Sequence, residues 1–161
     1  MTEKADLPNR ADILFYPPYL AIVIILTALV LEWLFPLSLL PQPLTAETTF
    51  MGVVLLAGAF VLALTAAQSF RTVRTNIDPH KPVLNLATEG PYRLTRNPMY
   101  LGMILLMTGL GLVFSLDWAI IFVPALWAML HFGVVLREEA FLNQRFGAPY
   151  EEFFDNTRRW L

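Results

Sequence analysis

The sequence predicts an all-α integral membrane protein with four transmembrane helices, a long cytoplasmic loop and a helical C-terminal tail, in a single domain over residues 1–161. Three observations carry this. The 161 residues are 57% hydrophobic and 15% charged, where soluble domains carry about 25% charge. The charge is missing over stretches about as long as a bilayer crossing. Every Lys and Arg falls on one side of those stretches. Disorder is excluded by the same composition. With no cysteine there is no disulfide, thiolate metal site or thiol nucleophile. A net charge of -2 provides no basic field to gather nucleic acid.

The first apolar run is Tyr19–Leu40. Glu32 and Pro36 interrupt it, so its helix ends or kinks near Pro36. The 18 residues before it carry three acids and no small-residue cleavage pattern follows it, which argues against a cleavable signal peptide. The next three runs, Phe50–Phe70, Tyr100–Leu116 and Trp118–Leu136, contain no charged residue and are each close to the ~20 residues that span a hydrocarbon core. Ala59, Ala63 and Ala67 form a small-residue stripe on the second helix, suited to close helix packing. Only Ser115–Trp118 separates the third and fourth helices, which must form an antiparallel hairpin, with Gly102, Gly109 and Gly111 available for close contact.

All 11 basic residues then vote on orientation. Lys4 and Arg10 precede helix 1, Arg71, Arg74, Lys81, Arg93 and Arg96 lie between helices 2 and 3, and Arg137, Arg145, Arg158 and Arg159 follow helix 4. The opposite connections carry none, so both termini are expected in the cytoplasm, in a bacterial inner membrane or its equivalent.

The same side holds almost all of the polar sequence: the 29-residue segment Arg71–Met99, broken by Pro79, Pro82, Pro91 and Pro98, and the 25-residue tail Arg137–Leu161. Two acids, Glu138 and Glu139, and the cations Arg93, Arg96 and Arg137 stand at the inner ends of two helices forced together by the hairpin. Adjacent helical residues point about 100° apart, so at most one of the two glutamates faces a shared pocket. Such a set suits a zwitterionic ligand, a carboxylate taking an ammonium and Arg or Asn taking a carboxylate. Each feature also has a plain structural reading: interface anchors for Arg93 and Arg96, a solvated helix end for the glutamates. His131, about 9 Å deeper than Arg137 along the helix, either lines the pocket or bonds a neighbouring helix. Glu32 snorkels to the outer interface or carries a function of its own.

In order along the chain stand GPYR (Gly90–Arg93), RNPMYLG (Arg96–Gly102), the pair Glu138–Glu139 and FGAPY (Phe146–Tyr150). Over about half the chain, from Pro79 to the C-terminus, this resembles the integral-membrane methyltransferases of the isoprenylcysteine carboxyl methyltransferase and phospholipid N-methyltransferase superfamily. The resemblance implies S-adenosylmethionine as methyl donor, held by a cofactor-binding loop at the cytoplasmic membrane face. It assigns Arg96, Asn97, Pro98, Tyr100 and Gly102 to the cofactor motif. Gly90 and Tyr92 shape the loop before it, and Glu138 holds the methionyl ammonium while Glu139 braces the loop through Tyr100 or an arginine. His80 and Lys81 are added as contacts to the cofactor or the acceptor headgroup. A soluble-type G-x-G-x-x-G loop is absent, since only Gly109 and Gly111 have the opening spacing and they lie inside a span. Asn97 stands where the isoprenylcysteine enzymes have His, so proton transfer from that place is not expected.

The implied reaction moves the sulfonium methyl to a nucleophile on a lipophilic acceptor arriving from the bilayer. Arg137, Glu139 and His131 are the candidate catalytic residues. An ammonium or thiol acceptor would need a base, for which His131, Glu139 or Tyr92 are nearest. The expected reading is isoprenylcysteine carboxyl methyltransferase-like, with a phospholipid or small-thiol methyltransferase as the alternative. A four-helix cation or drug exporter using Glu32 is the rival from another class, and a noncatalytic membrane relative is the third.

Overall fold

The computed structural model describes residues 10–40, 44–76, 78 and 81–161. Among them every regular element is helical: α1 (Pro17–Leu34), α2 (Ala46–Thr72), a 3-10 turn (Gly90–Arg93), α3 (Pro98–Phe114), α4 (Asp117–Leu130), a π-turn (His131–Val135), α5 (Leu136–Phe146) and α6 (Ala148–Asn156). The chain is an all-α integral membrane protein. α1, α2 and the continuous rod Asp117–Phe146 are long and apolar enough to cross a bilayer. The expected fourth span, α3, is a shorter apolar helix of 17 residues, about 26 Å of rise.

Local chemistry explains the boundaries. α1 opens on Pro17 and Pro18, whose φ is preset for a first turn. It stops at Leu34, short of the end of the apolar run at Leu40 and just before Pro36 as expected, because Pro36 cannot continue the ladder. α2 starts four residues earlier than the apolar run, at Ala46, because Thr45 caps it: the Thr48 N–H donates to the Thr45 hydroxyl at 3.2 Å. α3 ends on Ser115 in the left-handed region (φ 50°), and Leu116 N–H returns to Gly111 O at 2.9 Å.

At the hairpin end, fully buried Asp117 accepts from the N–H groups of Leu39 and Leu40, each at 2.9 Å. Glu32 accepts from Trp118 N–H at 3.2 Å, and the Trp118 indole donates to Phe35 O at 2.8 Å. Glu32 is therefore tied to the first turn of α4, where a carboxylate favours the positive end of the helix.

The α2–α3 interface is built from small residues, though not the expected set. Ala63 is exposed; Gly52 and Ala59 meet α3, and the next buried small residue, Ala66, packs against Ala87 and Tyr92. Seven residues bring a helix back to within about 20° of the same face, where each four-residue step turns about 40° away from it. A Cβ on Gly109 would stand 2.9 Å from Gly52 O, and one on Gly102 would stand 3.4 Å from Ala59 O. Gly111 faces α4 instead, with Ile120 Cδ1 only 2.5 Å from a built Cβ. At the π-turn the Leu14 N–H donates to Gly133 O at 2.9 Å, and the Phe15 ring occupies the place of a Gly133 side chain. The segment before α1 is thereby fastened to the rod.

Gly109→Ala is expected to push the helices apart and destabilise the protein by about 1–3 kcal/mol. Gly58→Ala, whose nearest atom would be Leu105 Cδ1 at 3.9 Å, should leave the thermal unfolding midpoint in detergent unchanged. Equal midpoints for both variants would refute the close crossing.

Candidate functional site

The polar residues of the long loop, α5 and the C-terminal tail converge beside the inner ends of α2 and α3 on one cavity, with about 130 Å³ open to the centres of water molecules. One water takes roughly 10–15 Å³ by this measure, so the space suits a small organic molecule. Its apolar walls are Phe70, Met99, Phe141, Leu142 and Phe153; its polar lining includes Asn76, Asn85, Tyr92, Arg96, Asn97, Tyr100, Glu138, Glu139 and Tyr150.

The loop is shaped by its own side chains. Thr75 Oγ1 accepts from Leu84 N–H at 3.0 Å, Asn76 Nδ2 donates to Pro82 O at 2.8 Å, and Asn85 Nδ2 donates to Val73 O at 2.7 Å. Ser69 Oγ on α2 donates to Glu89 O at 3.1 Å, and Gly90 follows with φ 66°. A side chain there would collide with Ser69 Oγ at 2.8 Å, so the 3-10 turn can dock only with glycine at 90.

Arg96 is the hub. It donates to Glu139 Oε1 from Nε (3.2 Å) and Nη2 (3.0 Å), to Phe154 O (2.7 Å) and to Thr157 O, and its guanidinium lies 4.0 Å from the centroid of the Phe154 ring. Glu139 also accepts from Arg159, with Nη2 to Oε2 at 2.8 Å and Nε to Oε1 at 3.0 Å. That hydrogen bonding raises the pKa of Arg159. The main chain of the tail is held in parallel: Arg96 N–H donates to Arg158 O, while Thr95 Oγ1 (3.0 Å) and Asn97 Nδ2 (2.9 Å) both donate to Arg159 O. The C-terminal segment is thus strapped across the RNP motif.

Glu138 stands apart from these ion pairs and accepts from Tyr100 Oη at 2.8 Å. Both glutamates line the cavity, against the expectation of one. The tail folds back over α5, so the cavity wraps far enough around the helix to reach two positions 100° apart.

Other sequence candidates lie elsewhere. His80 is outside the described residues. Lys81 is exposed and does not line the cavity, and its N–H closes a turn onto Asp78 O. Pro98 opens α3 and Gly102 serves the α2 crossing. Arg137 turns away to Asp12, bonding its carbonyl at 3.1 Å with the carboxylate at 3.7 Å. His131 stacks on Trp127 (centroids 5.1 Å) and accepts on Nδ1 from the Trp160 indole at 3.2 Å, outside the cavity. Neither Arg137 nor His131 lines the cavity. Phe70, Asn76, Asn85, Phe141, Tyr150 and Phe153 are lining residues not singled out from sequence. Only Tyr150 carried a signal, as the last residue of the FGAPY motif.

The fold and site define an all-helical integral membrane protein with a ligand-sized, mixed polar and apolar cavity where its helices meet the polar segments. Its kind is given by comparison: the family model for phospholipid methyltransferase matches residues 47–149, more than half the chain, and the protein belongs to that family. It is a membrane methyltransferase by family. The matched stretch runs from the first turn of α2 into α6 and so includes the loop, RNPMYLG and both glutamates. No curated protein and no solved structure matches the chain.

Glu139→Ala would leave two guanidinium groups without their counter-charge and should cost about 3 kcal/mol, measured by denaturant unfolding in micelles. Arg93→Ala breaks only the solvated pair with Glu89 and should leave the transition in place. A Glu139→Ala transition matching wild type would remove the hub from the account.

Proposed function

We propose that the protein transfers the methyl group of S-adenosylmethionine to the amine of a phospholipid-type acceptor at the cytoplasmic membrane face. The observation that carries this is the chemistry of the cavity lining. Glu138 brings a carboxylate that pairs with no cation among the described residues, and Asn76, Asn85 and Asn97 each have their Nδ2 engaged by a backbone carbonyl. The guanidinium of Arg96 is engaged by Glu139 and the tail. What the side chains have left is mainly hydrogen-bond acceptors, which suits ammonium, sulfonium and amine groups. A carboxylate acceptor would meet Glu138 with no unengaged cation beside it, so the amine reading is preferred to the carboxyl one.

The lining fits the cofactor in kind: a carboxylate for the methionyl ammonium, amides for the polar edges of adenine, and Phe70 and Phe153 for its faces. Bound S-adenosylmethionine supplies an electrophilic methyl that needs no further activation. The chain then has to align the acceptor and keep water away, for which Met99, Phe141 and Leu142 provide a dry wall. Proton chemistry is limited. His131 is outside the cavity, Glu139 is engaged by two arginines, and burial keeps the Tyr92 hydroxyl above the usual phenol range, so it stays protonated. The amine therefore reacts as the free base, having lost its proton to solvent. Glu32, tied to Trp118 N–H, has a structural duty that argues against the exporter.

Calorimetric titration with S-adenosylhomocysteine should show saturable binding, weakened about 10- to 100-fold in Glu138→Gln and unaltered in Glu32→Gln. Vesicles of an ethanolamine phospholipid should accept labelled methyl groups where a prenylated cysteine does not; the reverse preference would replace the amine reading with the carboxyl one. The distribution of basic residues supports cytoplasmic termini, and a periplasmically active reporter fused to the C-terminus should stay silent.

A further inference from the structure

Two cavity hydroxyls have no hydrogen-bonding partner among the described residues: those of Tyr92 and Tyr150. Both residues are deeply buried, at 7% and 2% exposure, and both line the cavity. Among the described residues no side-chain oxygen sealed from open space lacks a partner, so these two face open space. Their rings are held firmly. Tyr92 sits on the 3-10 turn edge-on to Phe70, with centroids 5.5 Å apart, and Tyr150 packs against Phe153 and Phe154, each at 6.2 Å. A buried hydroxyl without a partner is a cost, and at the wall of a cavity it marks a place where a ligand atom completes the bond.

Both hydroxyls lie within the field of Glu138. Burial first and the Glu138 charge second raise the Tyr92 pKa, and burial raises that of Tyr150, with both glutamates adding to it. They stay protonated and keep their oxygen lone pairs. A primary ammonium presents three N–H donors that diverge from one atom. Around the cavity, Glu138, with Tyr100 already on Oε1, and the two tyrosine oxygens are three acceptors on three different elements, α5, the 3-10 turn and α6.

We infer that Glu138, Tyr92 and Tyr150 form a three-acceptor nest for the primary ammonium group of an amino-acid-type ligand, here the methionyl end of the cofactor. The inference rests on the cofactor reading above and adds two binding residues to it. It accounts for the hydroxyl at position 150, which stands beside two ion-paired arginines yet bonds neither. It also makes the site selective, because removing or methylating the ammonium leaves a tyrosine hydroxyl unmatched.

The test is calorimetry on the full chain in detergent with S-adenosylhomocysteine and with its desamino analogue, which lacks only the ammonium. Tyr92→Phe and Tyr150→Phe keep the rings and their packing. Each is expected to bind S-adenosylhomocysteine about tenfold more weakly than wild type, and the desamino analogue as tightly as wild type. Unchanged affinity for S-adenosylhomocysteine in both variants, or an equal loss for the two ligands, would overturn the nest. Glu138→Gln in the same series separates the two ideas. If it weakens binding while the tyrosine variants do not, only the nest falls; if it has no effect either, the ammonium anchor fails with it.

Discussion

The site depends on one carboxylate shared by two guanidinium groups. Glu139 on α5 receives Arg96 from the loop before α3 and Arg159 from the end of the chain. Three segments distant in sequence are thereby held at one point beside the membrane. Taking these charges out of water is expensive, and a well-packed apolar replacement could be as stable. What the triad supplies is a unique arrangement: Arg96 has further bonds to Phe154 O and Thr157 O, so the tail has one register in which every donor is matched.

That arrangement is transmitted from the far end of the bundle. The Gly52–Gly109 and Ala59–Gly102 contacts draw α2 and α3 close, and Asp117 and Glu32 hold the start of the rod against α1 and its following loop. With their outer ends tied, the inner ends of α2, α3 and the rod have little freedom. The loop between α2 and α3 must then arch back over them, and its Thr75, Asn76 and Asn85 bonds give it a shape of its own before any ligand arrives. The π-turn contributes where the rod leaves the apolar layer. It frees Gly133 O for Leu14 N–H, which brings the segment before α1, including Ala11, to the edge of the cavity.

The cavity that results is unusual in its division of labour. The cavity cation Arg96 is neutralised and directed at the protein itself, while among the described residues the Glu138 carboxyl has no cationic partner. Two glutamates adjacent in sequence therefore differ in their partners: Glu139 reaches the arginines of the loop and tail, and Glu138 meets the Tyr100 hydroxyl.

Composition and charge placement were enough to determine a helical membrane protein with its chemistry on one side, because uncharged runs of about 20 residues have no other stable setting and basic residues sort to one face. The hairpin was also legible, since a connection as short as Ser115–Trp118 permits nothing else. The end of α1 before Pro36 was legible, whereas the start of α2 came out four residues late because the Thr45 side chain decided it. The packing stripe came out differently because Ala59, Ala63, Ala66 and Ala67 are equally small, and only tertiary packing selects which of them are buried. Among site residues, the motifs marked Arg96, Asn97, Tyr100 and both glutamates. They could not mark Phe70, Asn76 or Asn85, which become lining residues only when the loop folds back, nor exclude His131 and Arg137, whose partners Trp160 and Asp12 lie 29 and 125 residues away. Sequence determined that the polar, motif-bearing segments gather at one end of the helices; tertiary structure decided which side chains meet, because a helix fixes direction only over its own few turns and the strap closing the site comes from the opposite end of the chain.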